Sequence, residues 1–182
     1  MLLIGGLSTR MGSDKAALVI EGQPLWSRQL SILRQFNPET VLISCRQVPA
    51  WAPQDIQVVL DRPPSRGPLS GIAAALESLS TSHLLALAVD MPRMTPEHLR
   101  KLASFAALSY GIIPRNHDYF EPLAAIYPKE AAPIALRALE SSDFSLQSFA
   151  RELLHRQLIK SYSLSSEERN FYRNLNTVQE LE

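Results

Sequence analysis

The sequence predicts an α/β fold of three layers, a mostly parallel twisted sheet covered by helices on both faces, and three observations carry that prediction. Short apolar runs alternate with longer segments of helical period, the pattern of strands that take turns with crossover helices. The run from Leu84 to Val89 is apolar throughout, as a central strand buried on both faces is. No internal repeat, low-complexity tract or linker divides the 182 residues, so 1–182 reads as a single domain.

Taken in order, Leu2 to Ile4 reads as the first strand, closed by Gly5-Gly6. Several more apolar residues are expected before Gly5, so either this strand is short or the true start lies upstream. Pro24 suits the first turn of a helix in which Leu25, Leu30, Leu33 and Phe36 share a face. Val41 to Ser44 and Ile56 to Leu60 are strand candidates, followed by the loop from Asp61 to Pro68. A helix is expected from about Leu69 to Leu79, then the strand Leu84 to Val89. Thr95 caps the next helix with Pro96 at its first position. Tyr110 to Pro114, Leu123 to Tyr127 and Leu158 to Tyr162 read as strands, Lys129 to Leu139 and Leu146 to Leu154 as helices. Asn174 to Glu182 suggests a short terminal helix.

Composition narrows the function. Eighteen Lys and Arg balance eighteen Asp and Glu, which argues against the broad basic face that nucleic-acid binding needs. Hydrophobic residues make up 46% of the chain, yet no run approaches the roughly 18 apolar residues of a membrane span. The single Cys45 cannot form an intramolecular disulfide, which points to a reducing, cytoplasmic setting, and its place at the end of an apolar run reads as a small buried residue. Neither nucleic acid nor membrane is therefore an expected partner.

In sheets of this kind ligands bind beyond the carboxyl ends of the strands. Gly5-Gly6, Asp61 and Asp90 each follow a predicted strand. The segment Leu3-Ile4-Gly5-Gly6-Leu7-Ser8-Thr9-Arg10-Met11-Gly12-Ser13-Asp14-Lys15 concentrates glycines, hydroxyls and two cations in one loop. Glycines let successive N–H groups approach one anion, and Arg10 and Lys15 would add positive charge for a triphosphate. The spacing is not that of a P-loop, because no Ser or Thr follows Lys15. The plain alternative is a glycine-rich surface turn.

Other residues admit two readings each. Asp90, at the end of an apolar strand, suits a hard Mg²⁺ ion or else caps the following helix, although Thr95 lies closer to that helix. Asp61 is a ligand contact or a turn former. Gly71, near a helix N-terminus after Arg66-Gly67-Pro68, permits close approach or is merely tolerated. Asn174 and Asn176, two apart, would present their amides on one side of an extended segment; Asn176 could instead cap the last helix. His83, His98, His117 and His155 show no metal spacing and read as surface or satisfied core residues.

The glycine-rich segment resembles the L-A-G-G-x-S-x-R-M-G-x-D-K signature of molybdenum cofactor guanylyltransferases, the MobA-type branch of the nucleotidyltransferase superfamily. Leu3, Gly5, Gly6, Ser8, Arg10, Met11, Gly12, Asp14 and Lys15 match, while Ile4 replaces the usual alanine. The resemblance continues through Glu21-Gly22-Gln23-Pro24-Leu25, Gly67-Pro68-Leu69-Ser70-Gly71, Val89-Asp90-Met91-Pro92 and Asn174-Leu175-Asn176-Thr177, thus over nearly the whole chain. It departs at Val178, where proline is usual.

The resemblance implies a Rossmann-like nucleotidyltransferase fold and transfer of GMP from GTP to a terminal phosphate of molybdopterin, with Mg²⁺ and release of pyrophosphate. It implies catalytic roles for Arg10, Lys15 and Asp90, with Asp90 as metal ligand. Leu3, Ile4, Gly5, Gly6, Lys15, Ser44, Asp61, Gly71 and Asp90 would bind the nucleotide, and Asn174 and Asn176 the acceptor. Ser44 stands where a relative has asparagine. Further partners implied are molybdoenzyme apoproteins or other cofactor-synthesis proteins. Transfer of CMP or action on another small phosphate is the first alternative, and a nucleotide-binding protein without catalysis the second.

Overall fold

The computed structural model describes residues 1–4, 15–61 and 63–175. Strand β1 (Leu2–Leu3) is followed, after a 3₁₀ turn at Lys15–Ala17, by the small hairpin of β2 (Val19–Ile20) and β3 (Gln23–Pro24). Its turn places Glu21 and Gly22 at φ 50° and 79°, the pair of positive values that a two-residue hairpin turn of right-handed twist demands. This hairpin was not foreseen, because two-residue strands carry no readable alternation. Helix α1 (Leu25–Phe36) follows, with Pro24 as its N-cap rather than inside its first turn. Leu25, Leu30 and Leu33 are buried, as their spacing predicts.

Strands β4 (Leu42–Cys45) and β5 (Gln57–Leu60) lead to helix α2 (Pro68–Glu77), and β6 (His83–Ala88) to helix α3 (Pro96–Ala103). The Thr95 side chain accepts a hydrogen bond from the His98 N–H at 3.1 Å, so the predicted cap forms. Then come β7 (Gly111–Asn116), the short β8 (Tyr119–Phe120), β9 (Ala124–Pro128), helices α4 (Ala132–Glu140) and α5 (Leu146–His155), and β10 (Ile159–Ser163). A 3₁₀ turn covers Lys129–Ala131, where the sequence suggested α-helix, and another covers Glu168–Tyr172. The expected terminal helix falls largely on residues 176–182, outside the described residues.

The main sheet runs β10-β7-β9-β6-β1-β4-β5, with β8 paired to β7. Pairings are parallel except around β9, which runs against both β6 and β7, and at the β7–β8 hairpin. Helices α2, α4 and α5 bury Leu69, Ile72, Leu76, Ile134 and Phe149 on one face. Helices α1 and α3 bury Leu30, Leu33 and Leu99 with Met91 on the other. The three layers are thus as predicted. Gly111 is required by its neighbour strand: a Cβ there would lie 1.9 Å from the carbonyl oxygen of Ile126.

The order of crossovers locates the site. From β1 the chain moves outward to β4 and β5, then returns to place β6 on the other flank of β1. Such a reversal opens a crevice at the carboxyl ends of the two strands, here those ending before Ile4 and Val89.

Candidate active site

Four residues separated by as many as 68 positions meet at one point of this crevice. Ile4 donates its N–H to the carbonyl of Ser44 at 3.1 Å, extending the β1–β4 ladder past Leu3. Asp61 follows β5 and is held by its N–H to the carbonyl of Cys45 at 2.9 Å. Gly71 enters from the first turn of α2. A Cβ on Gly71 would lie 2.1 Å from Ser44 Oγ, 3.1 Å from Asp61 Oδ1 and 3.2 Å from Leu3 Cδ2. Close approach, rather than tolerance, therefore explains this glycine.

Asp61 is oriented as well as placed. Ser44 Oγ donates to its Oδ1 at 3.4 Å and Ser65 Oγ to its Oδ2 at 2.7 Å, while Arg46 Nε donates to Ser65 Oγ at 3.0 Å. Asp61 ties its loop through Ser65 and stands against Gly71. The α2 N-terminus has Gly67 at φ 78° as its N-cap, with no side-chain cap, so its first N–H groups are presented without a side-chain partner. Arg66 turns away, donating to the carbonyl of Ser141 at 3.0 Å and lying 5.0 Å over the Phe144 ring.

Asp90 sits half-buried just past β6, between buried Val89 and Met91. Burial raises its carboxyl above the ordinary carboxylate value, while the charge of Lys15 and its own backbone N–H pull it back. The helix-cap reading fails because Thr95 fills that role. Gln29, wholly buried on α1, fixes the turn by donating to the carbonyl of Met91 at 2.7 Å. Leu175 donates its N–H to the carbonyl of Asp90 at 2.8 Å, which brings the neighbouring Asn174, an exposed side chain, to the same edge. Lys15 opens the 3₁₀ turn, anchored by buried Ala16. Gly5, Gly6, Arg10 and Asn176 lie outside the described residues.

A polar cluster that sequence spacing does not reveal holds this C-terminal segment. Glu168 Oε1 accepts from Lys101 Nζ at 2.7 Å and from Tyr162 OH at 2.8 Å, and Oε2 accepts from the Ser165 N–H at 2.9 Å. Burial opposes its charge, but the bonds from Lys101, Ser165 and Tyr162 outweigh burial and bring the carboxyl down to about 2. His98 Nε2 meets Tyr172 OH at 2.8 Å, and burial lowers the imidazole below its ordinary value, so the ring is neutral. His98 is thus the satisfied core histidine that the sequence suggested.

Among the described residues, no three His, Cys, Asp or Glu side chains form a metal cluster. A cavity of about 470 Å³, lined by Leu33, Phe36, Leu42, Leu84, Leu85 and Ile126 among others, lies at the opposite edge of the sheet and contains none of the predicted residues. No helix among the described residues is long and apolar enough to cross a membrane. Cys45 is free and buried, as expected.

A parallel-sheet crevice at a strand reversal, with an uncapped helix N-terminus, a cation and a carboxylate at its rim, defines an α/β protein of the nucleotide-handling class. The family described as MobA-like NTP transferase domain matches residues 1–158, and the chain belongs to that family. A protein of Opitutus terrae named "Probable molybdenum cofactor guanylyltransferase" is 36% identical over 171 residues, covering 92% of this chain and 85% of that one. The crystal structure of molybdopterin-guanine dinucleotide biosynthesis protein A from Archaeoglobus fulgidus is 26% identical and superposes with a TM-score of 0.74, covering 99% of this chain and 93% of that one. A Mycobacterium tuberculosis protein, Rv0371c, crystallised in complex with manganese, shares the fold at a TM-score of 0.64 and 15% identity, covering 90% of this chain and 85% of that one.

Proposed function

We propose that the chain is a cytoplasmic enzyme that transfers GMP from GTP to the terminal phosphate of molybdopterin and releases pyrophosphate. The observation that carries this reading is the convergence of Leu3, Ser44 and Asp61 on Gly71, within 2.1–3.2 Å of where its Cβ would lie, at the same sheet edge as Lys15 and Asp90. Gly71 lets α2 pack close against Ser44, Asp61 and Leu3, and Asp61 would supply acceptors for the guanine's N–H groups. The backbone of Leu3, Ile4, Gly5 and Gly6 would follow the nucleotide. Asn174 and Asn176 would meet the acceptor.

An oxygen of the acceptor phosphate attacks the α-phosphorus; the bond from that phosphorus to the oxygen bridging the β-phosphorus breaks, and pyrophosphate leaves with that electron pair. The attacking oxygen is already anionic at neutral pH, so no general base is needed. The chain's task is alignment and charge neutralisation. Lys15 and Arg10 would neutralise the triphosphate and the departing pyrophosphate. A single half-buried carboxylate such as Asp90, which burial makes expensive to ionise, fits a hard cation that takes its remaining ligands from phosphate oxygens. Mg²⁺ held by Asp90 would supply Lewis-acid charge at those oxygens.

Thermal-shift titration with GTP, CTP, ATP and UTP, each with Mg²⁺, followed by turnover with molybdopterin, tests the reading. Stabilisation by GTP and formation of the guanine dinucleotide are expected. Stabilisation by CTP alone would overturn the guanylyl assignment, and selective GTP binding without turnover would leave a nucleotide-binding protein without catalysis.

A further inference from the structure

Gln29 is a polar side chain in a place where an apolar one would cost the fold less. It is wholly buried on α1, a helix whose other deeply buried positions are Leu25, Leu30 and Leu33. Its amide donates to the carbonyl of Met91 at 2.7 Å, across 62 positions of sequence. That carbonyl is satisfied without it, because the Met94 N–H donates to the same oxygen at 3.1 Å. Meanwhile Gln29 Oε1 is buried with no hydrogen-bond partner among the described residues. An unpaired buried acceptor costs more than one additional bond to a satisfied carbonyl returns. A methionine of similar length would fill the space without that cost. Stability therefore does not account for a glutamine here.

What the bond does fix is direction. Met91 follows Asp90 directly, in the turn that leads from β6 to α3. Before Asp90, the Val89 N–H donates to the carbonyl of Leu3 at 3.0 Å and ties the chain to β1. After it, the carbonyl of Asp90 accepts from the Leu175 N–H at 2.8 Å and the carbonyl of Met91 from Gln29. The backbone is thus held on both sides of a carboxylate that carries no cap or fold task of its own. Gln29 is the one side chain among these anchors, and it reaches the turn from the helix layer beneath it.

We propose that Gln29 is a positioning residue for metal binding by Asp90. By holding the Met91 carbonyl it sets the direction in which the Asp90 carboxylate meets a divalent cation carried by the nucleotide's phosphates. Groups that orient a metal ligand from behind are worth 10- to 100-fold in affinity without touching the metal. The inference rests on the metal-ligand reading of Asp90 and adds to it a residue that acts only through the turn.

The test measures GTP affinity by calorimetry, once with excess Mn²⁺ and once with EDTA, in the wild type, Gln29→Met, Asp90→Asn and the double variant. The ratio of the two affinities is the metal's contribution, read without turnover. Gln29→Met keeps the length and drops the donor; it should lower that ratio about tenfold while the metal-free affinity and the thermal midpoint stay at wild-type values. In the Asp90→Asn background the same substitution should change nothing further, because a residue that acts through another is not additive with it. A midpoint lower by several degrees, or failure to fold, would assign Gln29 to the fold. An equal drop in both backgrounds would place its action away from Asp90; each result overturns the proposal. A wild-type ratio retained by Asp90→Asn would sink the metal reading of Asp90 and this one with it, whereas a lowered ratio in Asp90→Asn beside an unaltered one in Gln29→Met sinks this one alone.

Discussion

The two flanks of Asp90 are built by different means. On one side, Leu3, Ser44, Asp61 and Gly71 sit at the ends of parallel strands or on the first turn of α2, and backbone geometry places them. On the other, the segment from Glu168 to Leu175, near the chain's end, reaches Asp90 through the bond from the Leu175 N–H to its carbonyl. That side is fixed by side-chain bonds spanning 67 and 74 positions. A flank made of strand ends is stiff because the whole sheet holds it. A flank hung on a few polar side chains depends on each of them, and substitutions should affect the two flanks differently.

The largest effect is expected at the boundary itself. Asp90→Asn removes the charge but keeps the shape, and guanylyl transfer should fall about 10³-fold, as for loss of a group that stabilises charge in the transition state. Because burial raises the Asp90 carboxyl, the variant should be no less stable than wild type in thermal melts. A melting midpoint several degrees lower would show that Asp90 serves the fold.

Next in size is Gly71→Ala. The new Cβ would lie 2.1 Å from Ser44 Oγ, so the serine must rotate and give up its bond to Asp61, and the Cβ would still crowd Asp61 and Leu3. The GTP KM should rise by about 10- to 100-fold, since small displacements of a positioned substrate are expensive. The molybdopterin KM should change little. Ser44→Ala in the same chain should recover part of the loss, which separates a clash from a general loss of folding.

How much of this was legible in sequence follows the same division. Strands β4, β5, β6, β7, β9 and β10 and helices α1, α2 and α5 were readable to within about two residues, and α3 by its start, because each announces its own period or cap. Helix α4 begins three residues later than expected, after a 3₁₀ turn. Asp61, Gly71 and Asp90 could be read as candidates because local chemistry, a residue just past a strand or near a helix start, marks them. The three-way approach of Ser44, Asp61 and Leu3 to Gly71 could not be read, since it depends on which strands neighbour which. Nor could Glu168, His98 and Tyr172, which meet through packing of α3 against the chain end. Strand β8 was too short to see.

A smaller effect is expected at Glu168. Its folded carboxyl titrates at about 2 against 4.5 when free, so its contribution to stability is complete above pH 4.5 and is lost as pH falls through about 2. Glu168→Gln should cost about 2 kcal/mol at pH 7, the range of hydrogen bonds to a buried charge, and the gap from wild type should close on acidification. Denaturant unfolding of both proteins from pH 7 to pH 3 checks this. By loosening the segment that reaches Asp90, the substitution should also raise the molybdopterin KM more than the GTP KM. An equal rise in both would mean that the chain end supports the whole crevice.

The smallest expected effect is Ser44→Ala, and it sharpens the contrast most. The bond from Ser44 Oγ to Asp61 Oδ1 is long, 3.4 Å, whereas Ser65 holds the other carboxylate oxygen at 2.7 Å and Arg46 in turn holds Ser65. Asp61 therefore keeps its stronger anchor when Ser44 is truncated, and a long neutral-to-charged bond contributes little beyond it. The GTP KM should rise about threefold or less, and stability should change by less than about 1 kcal/mol. Ser65→Ala, by contrast, releases the carboxylate from its short bond and frees Arg46 to pair with Asp61 directly. The two serines should thus differ, Ser65→Ala giving the larger rise. If Ser44→Ala proved the more damaging, its hydroxyl would be a direct partner of the nucleotide, and the strand-end flank would owe its function to a side chain after all.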